Sequence, residues 1–229
     1  MAICDDEPKP VEWVEVTVED LLDRLREHRN ADGLTIVGID GRSGSGKSTI
    51  AARLAAADSS IAIVHTDDIA WHHSFFSWHK ILAEEILRPL RTGGPPVSFR
   101  PPAWSERGRP GAIDIPSTAA IVLVEGVGAT HREVAHWLDA AIWVHTDPAL
   151  AQRRCVDRRI DPVDFIEDWM AQENPFLADD RPWSRASVII SGERVPAGTS
   201  NPHVSGKACP GTLSHSHGQC PVGQLSDSV

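Results

Sequence analysis

The fold of this chain is indicated by one stretch of eight residues, Gly41-Arg42-Ser43-Gly44-Ser45-Gly46-Lys47-Ser48. The stretch matches the phosphate-binding loop pattern G-x-x-x-x-G-K-[ST]. An apolar run at Leu34–Ile39 precedes it and predicts a buried strand, and the alanine-rich run Lys47–Ala57 follows it and predicts a helix. This order lets backbone N–H groups and a helix N-terminus surround phosphate oxygens. The motif and its context therefore predict a site for a nucleoside triphosphate.

Each part of this loop has an expected contact with ATP. Lys47 would contact the β- and γ-phosphates, and the Ser48 hydroxyl would bind Mg²⁺. The alternative is a glycine turn that only joins a strand to a helix. We expect ATP to be held by the nine residues from the first glycine onward, Gly41, Arg42, Ser43, Gly44, Ser45, Gly46, Lys47, Ser48 and Thr49.

Short apolar runs elsewhere predict further buried strands, with helical patterns between them. These runs are Ile61–His65, Ala119–Val124, Ala140–Val144 and Ser187–Ile190. Buried strands that alternate with helices are typical of a parallel sheet covered on both faces. We therefore predict an α/β fold class, a three-layer P-loop NTPase fold with a parallel sheet flanked by helices and a small hairpin and lid region.

The composition divides the chain into three parts. Residues 1–30 are predicted to be an acidic lead and a helix, and residues 31–192 to be the P-loop domain. Within that domain, residues 97–115 have apolar ends around a Pro-, Gly- and Arg-rich middle, which favours a hairpin or flap, and residues 148–161 are a candidate lid helix. Residues 193–229 are rich in Gly, Pro, Ser and Thr and lack apolar periodicity, so we expect a disordered tail.

Acidic residues follow two of the predicted strands. Asp67 and Asp68 come directly after the second strand, and Glu125 follows a later one. Ligands of α/β proteins bind at the carboxyl ends of the strands. A kinase that phosphorylates an alcohol needs one carboxylate to take the hydroxyl proton and another to help position Mg²⁺, a role we assign to Glu125 together with Ser48. The alternatives are a helix cap at Asp67-Asp68 and an exposed charge at Glu125.

The same residues resemble the uridine kinase family of P-loop nucleoside kinases, with its uridine–cytidine kinase, nicotinamide riboside kinase and phosphoribulokinase relatives. Val37–Thr49 is similar to the opening of that family, and Val122–Gly126 resembles its apolar strand ending in Glu-Gly. Thr66-Asp67-Asp68 resembles the Gln-Asp-Ser or Gln-Asp-Asp after its second strand. The resemblance covers about Leu34–Arg159. It implies that Asp67 is the catalytic base and that the ATP γ-phosphate passes to a hydroxyl of a small, nucleoside-like molecule.

The acceptor-binding part of the sequence departs from that family. Ile69–His73 stands where the family has Phe-Tyr, and Phe99–Arg107 replaces the Tyr-Asp and His-Ser-Arg of its hairpin. The resemblance therefore supports kinase chemistry better than it supports uridine as the substrate. Aromatic residues gather here, which favours either a slot for a flat base or core packing. The candidate acceptor-binding residues are Asp68, Trp71, Trp104 and Arg107.

Two arginines complete the catalytic candidates, which are Asp67, Lys47, Arg154 and Arg158. Arg154 and Arg158 are four residues apart on a predicted helix and share one face. They resemble the arginines of the lid helix in these kinases, which covers the phosphates and offsets charge in the transition state. The alternative is a solvated basic face paired with nearby aspartates.

Composition limits the partners and the location. The net charge is −10, so a nucleic-acid partner, which would need a basic face, is disfavoured. The apolar runs are far shorter than the ~20 residues that span a bilayer, and the acidic start lacks the order of a signal peptide. We expect no membrane partner, a cytoplasmic location and a small-molecule hydroxyl acceptor. The sequence indicates no oligomeric state.

Three functions stay open from the sequence. The first is an ATP-dependent kinase with a nucleoside-like acceptor. The second is a kinase of the same fold for another small alcohol. The third is a P-loop ATPase or nucleotide-binding protein without an acceptor, in which a carboxylate would position water instead of an alcohol.

Overall fold

The computed structural model describes residues 6–9, 13–30, 33–193 and 222–225. The strands of this part are β1 (Val14–Val16), β2 (Thr35–Gly41), β3 (Ile61–His65), β4 (Val97–Phe99), β5 (Ile113–Ile115), β6 (Ile121–Glu125), β7 (Ala140–His145), β8 (Val188–Ser191) and β9 (Val222–Leu225). Seven of them form one sheet in the order β1-β9-β8-β7-β2-β6-β3. Every neighbouring pair in that sheet is parallel. The other two, β4 and β5, form an antiparallel hairpin.

Eight α-helices lie in the described part of the chain. They are α1 (Val18–Glu27), α2 (Lys47–Ala57), α3 (Thr66–Ala70), α4 (His79–Leu82), α5 (Arg88–Gly93), α6 (Pro102–Glu106), α7 (Pro148–Asp157) and α8 (Val163–Asp180). A π-helical turn, Ala83–Leu87, joins α4 to α5, and 3₁₀ turns lie at Ala135–Trp137 and Pro182–Arg185. Among these described helices, none is both long and apolar enough to cross a membrane.

The two faces of the large sheet bury separate apolar clusters, because successive residues of a strand point to opposite faces. Ile36 and Val122 pack on one face with residues of α4 and α5, including Leu82 and Leu90. The neighbouring residues Val37 and Leu123 pack on the other face against α1 and α2, with Leu21, Leu25, Ile50 and Leu54. The predicted α/β fold with a parallel sheet between two helical layers is therefore confirmed.

The sheet brings three loops to one edge. Ile39 of β2 and His65 of β3 both pair with Glu125 at the end of β6. Because these strands are parallel and in register, the segments that follow them start side by side. These segments are the phosphate loop, the helix that carries Asp67, and the turn after Glu125.

The structure corrects the predictions for the two ends of the chain. The predicted disordered tail is wrong for Val222–Leu225, which forms β9 between β1 and β8. The acidic lead likewise contains a strand, Val14–Val16, that pairs with β9. Backbone hydrogen bonds to neighbouring strands stabilise such short segments without a regular apolar pattern. Residues 194–221 and 226–229 of the predicted tail lie outside the described residues.

Candidate active site

The phosphate loop is the turn between β2 and α2. Gly44 and Gly46 have φ angles of +77° and +102°, a backbone conformation that glycine adopts at least cost. A Cβ on Gly44 would lie 2.2 Å from the carbonyl oxygen of Ala151 on α7, so that position accepts no side chain. Lys47 is buried, and its Nζ donates to the carbonyl oxygen of Arg42 at 2.9 Å, across the mouth of the loop.

The loop fits a phosphate ligand on two further grounds. The Ser45 hydroxyl is buried and has no hydrogen-bond partner among the described residues. Gly46 is the N-cap of α2 and no side chain caps that helix, so its first N–H groups are open to an anion. The residues present therefore fit the triphosphate of ATP.

The far side of the loop is held by α8. The carboxylate of Glu173 accepts from the backbone N–H of Ser43 at 2.7 Å and from Nε1 of Trp169 at 3.3 Å, and Glu173 is 2% exposed. The sequence analysis missed this residue. The sequence does carry a signal for it, because Glu173 lies on the same face of α8 as the apolar residues Ile166, Met170 and Leu177. A carboxylate on a buried face needs a specific partner.

The side chain of Arg42 is bound by other parts of the protein. Its guanidinium donates to Glu7 at 2.6 Å and to Asn174 of α8 at 2.7 Å, and both Arg42 and Glu7 are buried. Only the backbone of Arg42 is therefore available to ATP. The side chain instead ties the phosphate loop to the acidic lead and to α8.

Ser48 and Glu125 form the oxygen pair predicted to bind Mg²⁺. The Ser48 hydroxyl donates to Oε1 of Glu125 at 3.0 Å, and Nδ1 of His65 lies 2.8 Å from Oε2. Burial, the largest influence, raises the pKa of Glu125, but the hydrogen bond with His65 and the charge of Lys47 outweigh it, so this pKa lies below its usual value. An ionised carboxylate beside a hydroxyl suits Mg²⁺. Sequence analysis did not predict the part played by His65.

Asp67 lies in the first turn of α3, directly after β3. Its side chain is exposed to solvent, although neighbouring protein atoms remove part of the water around its carboxyl group. This burial raises the pKa of Asp67, the charge of Lys47 opposes the rise, and the charge of Glu125 adds to it. A carboxylate with a raised pKa is a stronger base, and it is placed where the charges of Lys47 and Glu125 reach it.

Asp68 faces the flap formed by β4, α6 and β5. Its carboxylate accepts from Arg109 at 2.5 Å, and its backbone oxygen accepts from Nε1 of Trp104 at 3.0 Å. The guanidinium of Arg109 lies 3.7 Å from the ring centroid of Trp104 and 5.3 Å from that of Trp71. Three of the four predicted acceptor-binding residues thus meet here, around an arginine that was not predicted.

Arg107, the fourth predicted acceptor-binding residue, does not take part in this contact. It is exposed and ends α6. The positive φ angle of Gly108, +70°, turns the chain after α6, so that Arg109 is the arginine that returns to Asp68. The structure thus places Arg109, and not the predicted Arg107, beside Asp68 and Trp104.

The other aromatic residues of this region belong to the core. Trp78 is 1% exposed. Phe75 and Phe76 pack on Trp169 of α8, with ring centroids 4.7 and 5.2 Å apart, and Phe76 stacks on Phe176 at 4.0 Å. The segment after α3 therefore packs on the helix that also contacts the phosphate loop.

The two candidate arginines of α7 have different surroundings. Nη1 of Arg154 donates to the carbonyl oxygens of Gly44 at 3.3 Å and of Gly192 at 2.9 Å, so this side chain touches the phosphate loop. Arg158 is exposed, and it donates back to its own helix, to the oxygen of Arg154 at 3.3 Å and to Sγ of Cys155 at 3.2 Å. Only Arg154 lies against the loop.

The fold and this site define a P-loop protein of the α/β class. The chain is similar to a "putative fructose transport system kinase" from Silicibacter sp. TM1040, with a TM-score of 0.53, 19% identity, and 75% of this chain and 95% of that chain covered. It is also similar to a "possible uridine kinase" from Bacillus stearothermophilus, with a TM-score of 0.48, 19% identity, and 75% and 96% covered. A third similar structure is shikimate kinase from Bacteroides thetaiotaomicron, with a TM-score of 0.37, 15% identity, and 69% and 86% covered.

Of these likenesses, the first bears on the architecture of the chain. With a TM-score of 0.53, it shows that the chain shares the fold of that solved structure. No protein-family model matches the chain, and no curated protein matches it. The function must therefore be argued from the site itself.

Proposed function

We propose that this protein is an ATP-dependent kinase that transfers the γ-phosphate to a hydroxyl group of a small molecule. The observation that carries the proposal is Asp67. Asp67 lies in the turn after β3, whose last residue pairs with Glu125 at the end of β6, and its carboxyl group feels the charges of Lys47 and Glu125, the residues assigned to the phosphates and to Mg²⁺. This position supports the assignment of Asp67 as the base that acts on the acceptor hydroxyl.

Each residue of the site has a role in this reaction. The loop backbone and Lys47 bind the phosphates, and Ser48 and Glu125 hold the metal ion. Mg²⁺, when bound, neutralises charge on the β- and γ-phosphates. Asp67 takes the proton from the attacking hydroxyl as the bond to phosphorus forms. Arg154 fixes Gly44 and Gly192 around the loop and stands where its charge can offset that of the transferred phosphoryl group.

The sequence favours a nucleoside-like acceptor, and another small alcohol is the alternative within the same chemistry. A location in the cytoplasm, a small-molecule partner, and the absence of a nucleic-acid or membrane partner are parts of this proposal. A P-loop ATPase without an acceptor is the competing function, in which Asp67 would act on water.

The experiment is a coupled ADP assay on the full chain with Mg²⁺-ATP, with and without pooled alcohols, followed by ³¹P NMR of the products. The proposal predicts that an alcohol stimulates ADP release and appears as a phosphate monoester. Slow ADP release that no alcohol stimulates, with inorganic phosphate as the only other product, would favour the ATPase. Lys47→Ala is the control for contaminating kinases.

A further inference from the structure

The ring of Trp104 near Asp68 is covered by another residue of the chain, Arg109. The planar guanidinium of Arg109 lies 3.7 Å from the centroid of Trp104, the distance of direct stacking. Trp104 is only 4% exposed, and the ring centroid of Trp71 lies 5.3 Å from the same guanidinium carbon. A nucleobase could stack on Trp104 only after Arg109 had left.

Arg109 is fixed in this place by its backbone as well as by its side chain. Its N–H donates to the carbonyl oxygen of Trp104 at 2.9 Å, and its own carbonyl oxygen accepts from Arg100 at 2.9 Å. The preceding Gly108 supplies the turn, with φ +70°. The Asp68 carboxylate then holds the guanidinium at 2.5 Å. Both its backbone and its side chain thus fix the arginine beside Asp68.

The Asp68–Arg109 pair still presents polar groups to solvent. The two side chains keep 29% and 33% exposure, and a guanidinium has five N–H donors, of which the carboxylate takes one. Acceptor oxygens and N–H donors therefore lie side by side. A hydroxyl group both donates and accepts, so two neighbouring hydroxyls can bind such a pair at once. A flat apolar ring face gains nothing from it.

We infer that the acceptor is a polyhydroxylated, non-aromatic molecule, a monosaccharide or a polyol, and that Arg109 is the residue that selects it. Two hydroxyls of the acceptor bind the Asp68–Arg109 pair, and another hydroxyl faces Asp67. Asp67 and Asp68 lie in the first turn of the same helix, and the charge of Asp68 acts on the Asp67 carboxyl group, so a small molecule with several hydroxyls can contact both. This inference rests on the proposed kinase function and narrows its acceptor. A nucleoside could offer its ribose hydroxyls to the same pair, but its base finds no free aromatic face on Trp104.

The test compares acceptors on the full chain. Initial rates of ADP release are measured with D-fructose, D-ribose, xylitol and glycerol, and with uridine, cytidine and adenosine. The inference predicts that the highest kcat/KM belongs to a sugar or polyol. If the best acceptor is a nucleoside, the inference is overturned while the kinase function stands. If none of these alcohols stimulates ADP release, the proposed function itself fails.

Variants of Asp68 and Arg109 distinguish a role in binding the acceptor from a role in folding. Arg109→Ala should raise the KM of the best sugar or polyol at least about tenfold, the loss expected for one charge-assisted hydrogen bond, with little change in kcat or in ATP affinity. Arg88→Ala removes an exposed arginine whose partner is Glu84 on the same helix segment, and it serves as the matched control. Asp68→Asn keeps the shape of the pair and should also raise KM, which covers the case that Arg109→Ala does not fold. An unchanged KM in both Arg109→Ala and Asp68→Asn would overturn the inference.

Discussion

Glu173→Leu is the substitution that best tests how the phosphate loop is held. Glu173 is 2% exposed, and its carboxylate is the acceptor for the Ser43 N–H and for Trp169 Nε1. A buried donor left unpaired costs about 1–3 kcal/mol. Because Ser43 and Trp169 are half-buried, water recovers part of that loss. We expect the free energy of unfolding to fall by about 2 kcal/mol.

The same substitution should weaken nucleotide binding. Ser43 belongs to the loop, and a loop that loses this support has to be ordered by ATP, so the Kd for a non-hydrolysable ATP analogue should rise about tenfold, equivalent to one lost charge-assisted hydrogen bond. Glu173→Gln keeps an acceptor oxygen and should cost less than ~1 kcal/mol of stability. Glu167→Leu changes an exposed glutamate of the same helix and is the matched control.

Urea denaturation measures the first effect and isothermal titration calorimetry the second. The order expected for both stability and affinity is wild type, then Glu173→Gln, then Glu173→Leu, with Glu167→Leu close to wild type. A Glu173→Leu protein that matches Glu167→Leu in both measurements would refute the conclusion that this buried carboxylate supports the phosphate loop.

Three further predictions follow from the site and its surroundings. Lys47→Ala should lower phosphoryl transfer at least ~100-fold, as expected for the loss of one preorganised charge, while circular dichroism stays unchanged. Because burial raises the pKa of Asp67 and a base must be deprotonated, kcat/KM should decline on acidification at a pH above the ordinary ~3.9, and Asp67→Asn should abolish this acid limb. Burial lowers the pKa of His79 from 6.5 to about 4, so the free energy of unfolding should fall by about 3 kcal/mol as the pH drops from 6.5 to 4, at about 1.4 kcal/mol per pH unit. Urea midpoints of wild type and His79→Gln across this pH range test the prediction. Equal losses of stability in the two proteins would contradict it.

The elements with a local signal were predictable from the sequence. The phosphate loop is a contiguous motif, and β2, β3, β6 and β7 are apolar runs because both faces of the sheet are covered. The carboxylates Asp67 and Glu125 were located because the ends of parallel strands meet at one edge of a sheet. Local pattern and tertiary position agree in these cases.

The elements that depend on distant contacts were not predictable. Glu173 lies far along the chain from Ser43, and its helical periodicity marks a buried face without naming the partner. Whether Arg107 or Arg109 reaches Asp68 depends on the φ angle of Gly108, and glycine can adopt either sign of φ, so the sequence does not determine it. The strand β9 consists of Val-Gly-Gln-Leu, and it owes its place to pairing with β8 and β1 and not to its own composition.

The most direct test of the central claim, that Asp67 is the base of an alcohol kinase, is turnover and ATP affinity of Asp67→Asn beside Asp68→Asn. Asparagine keeps the size of the side chain but cannot take the hydroxyl proton. The account predicts that Asp67→Asn loses ~10²–10⁴-fold in kcat at unchanged ATP affinity, while Asp68→Asn mainly raises the KM of the acceptor. Normal turnover by Asp67→Asn would contradict the account.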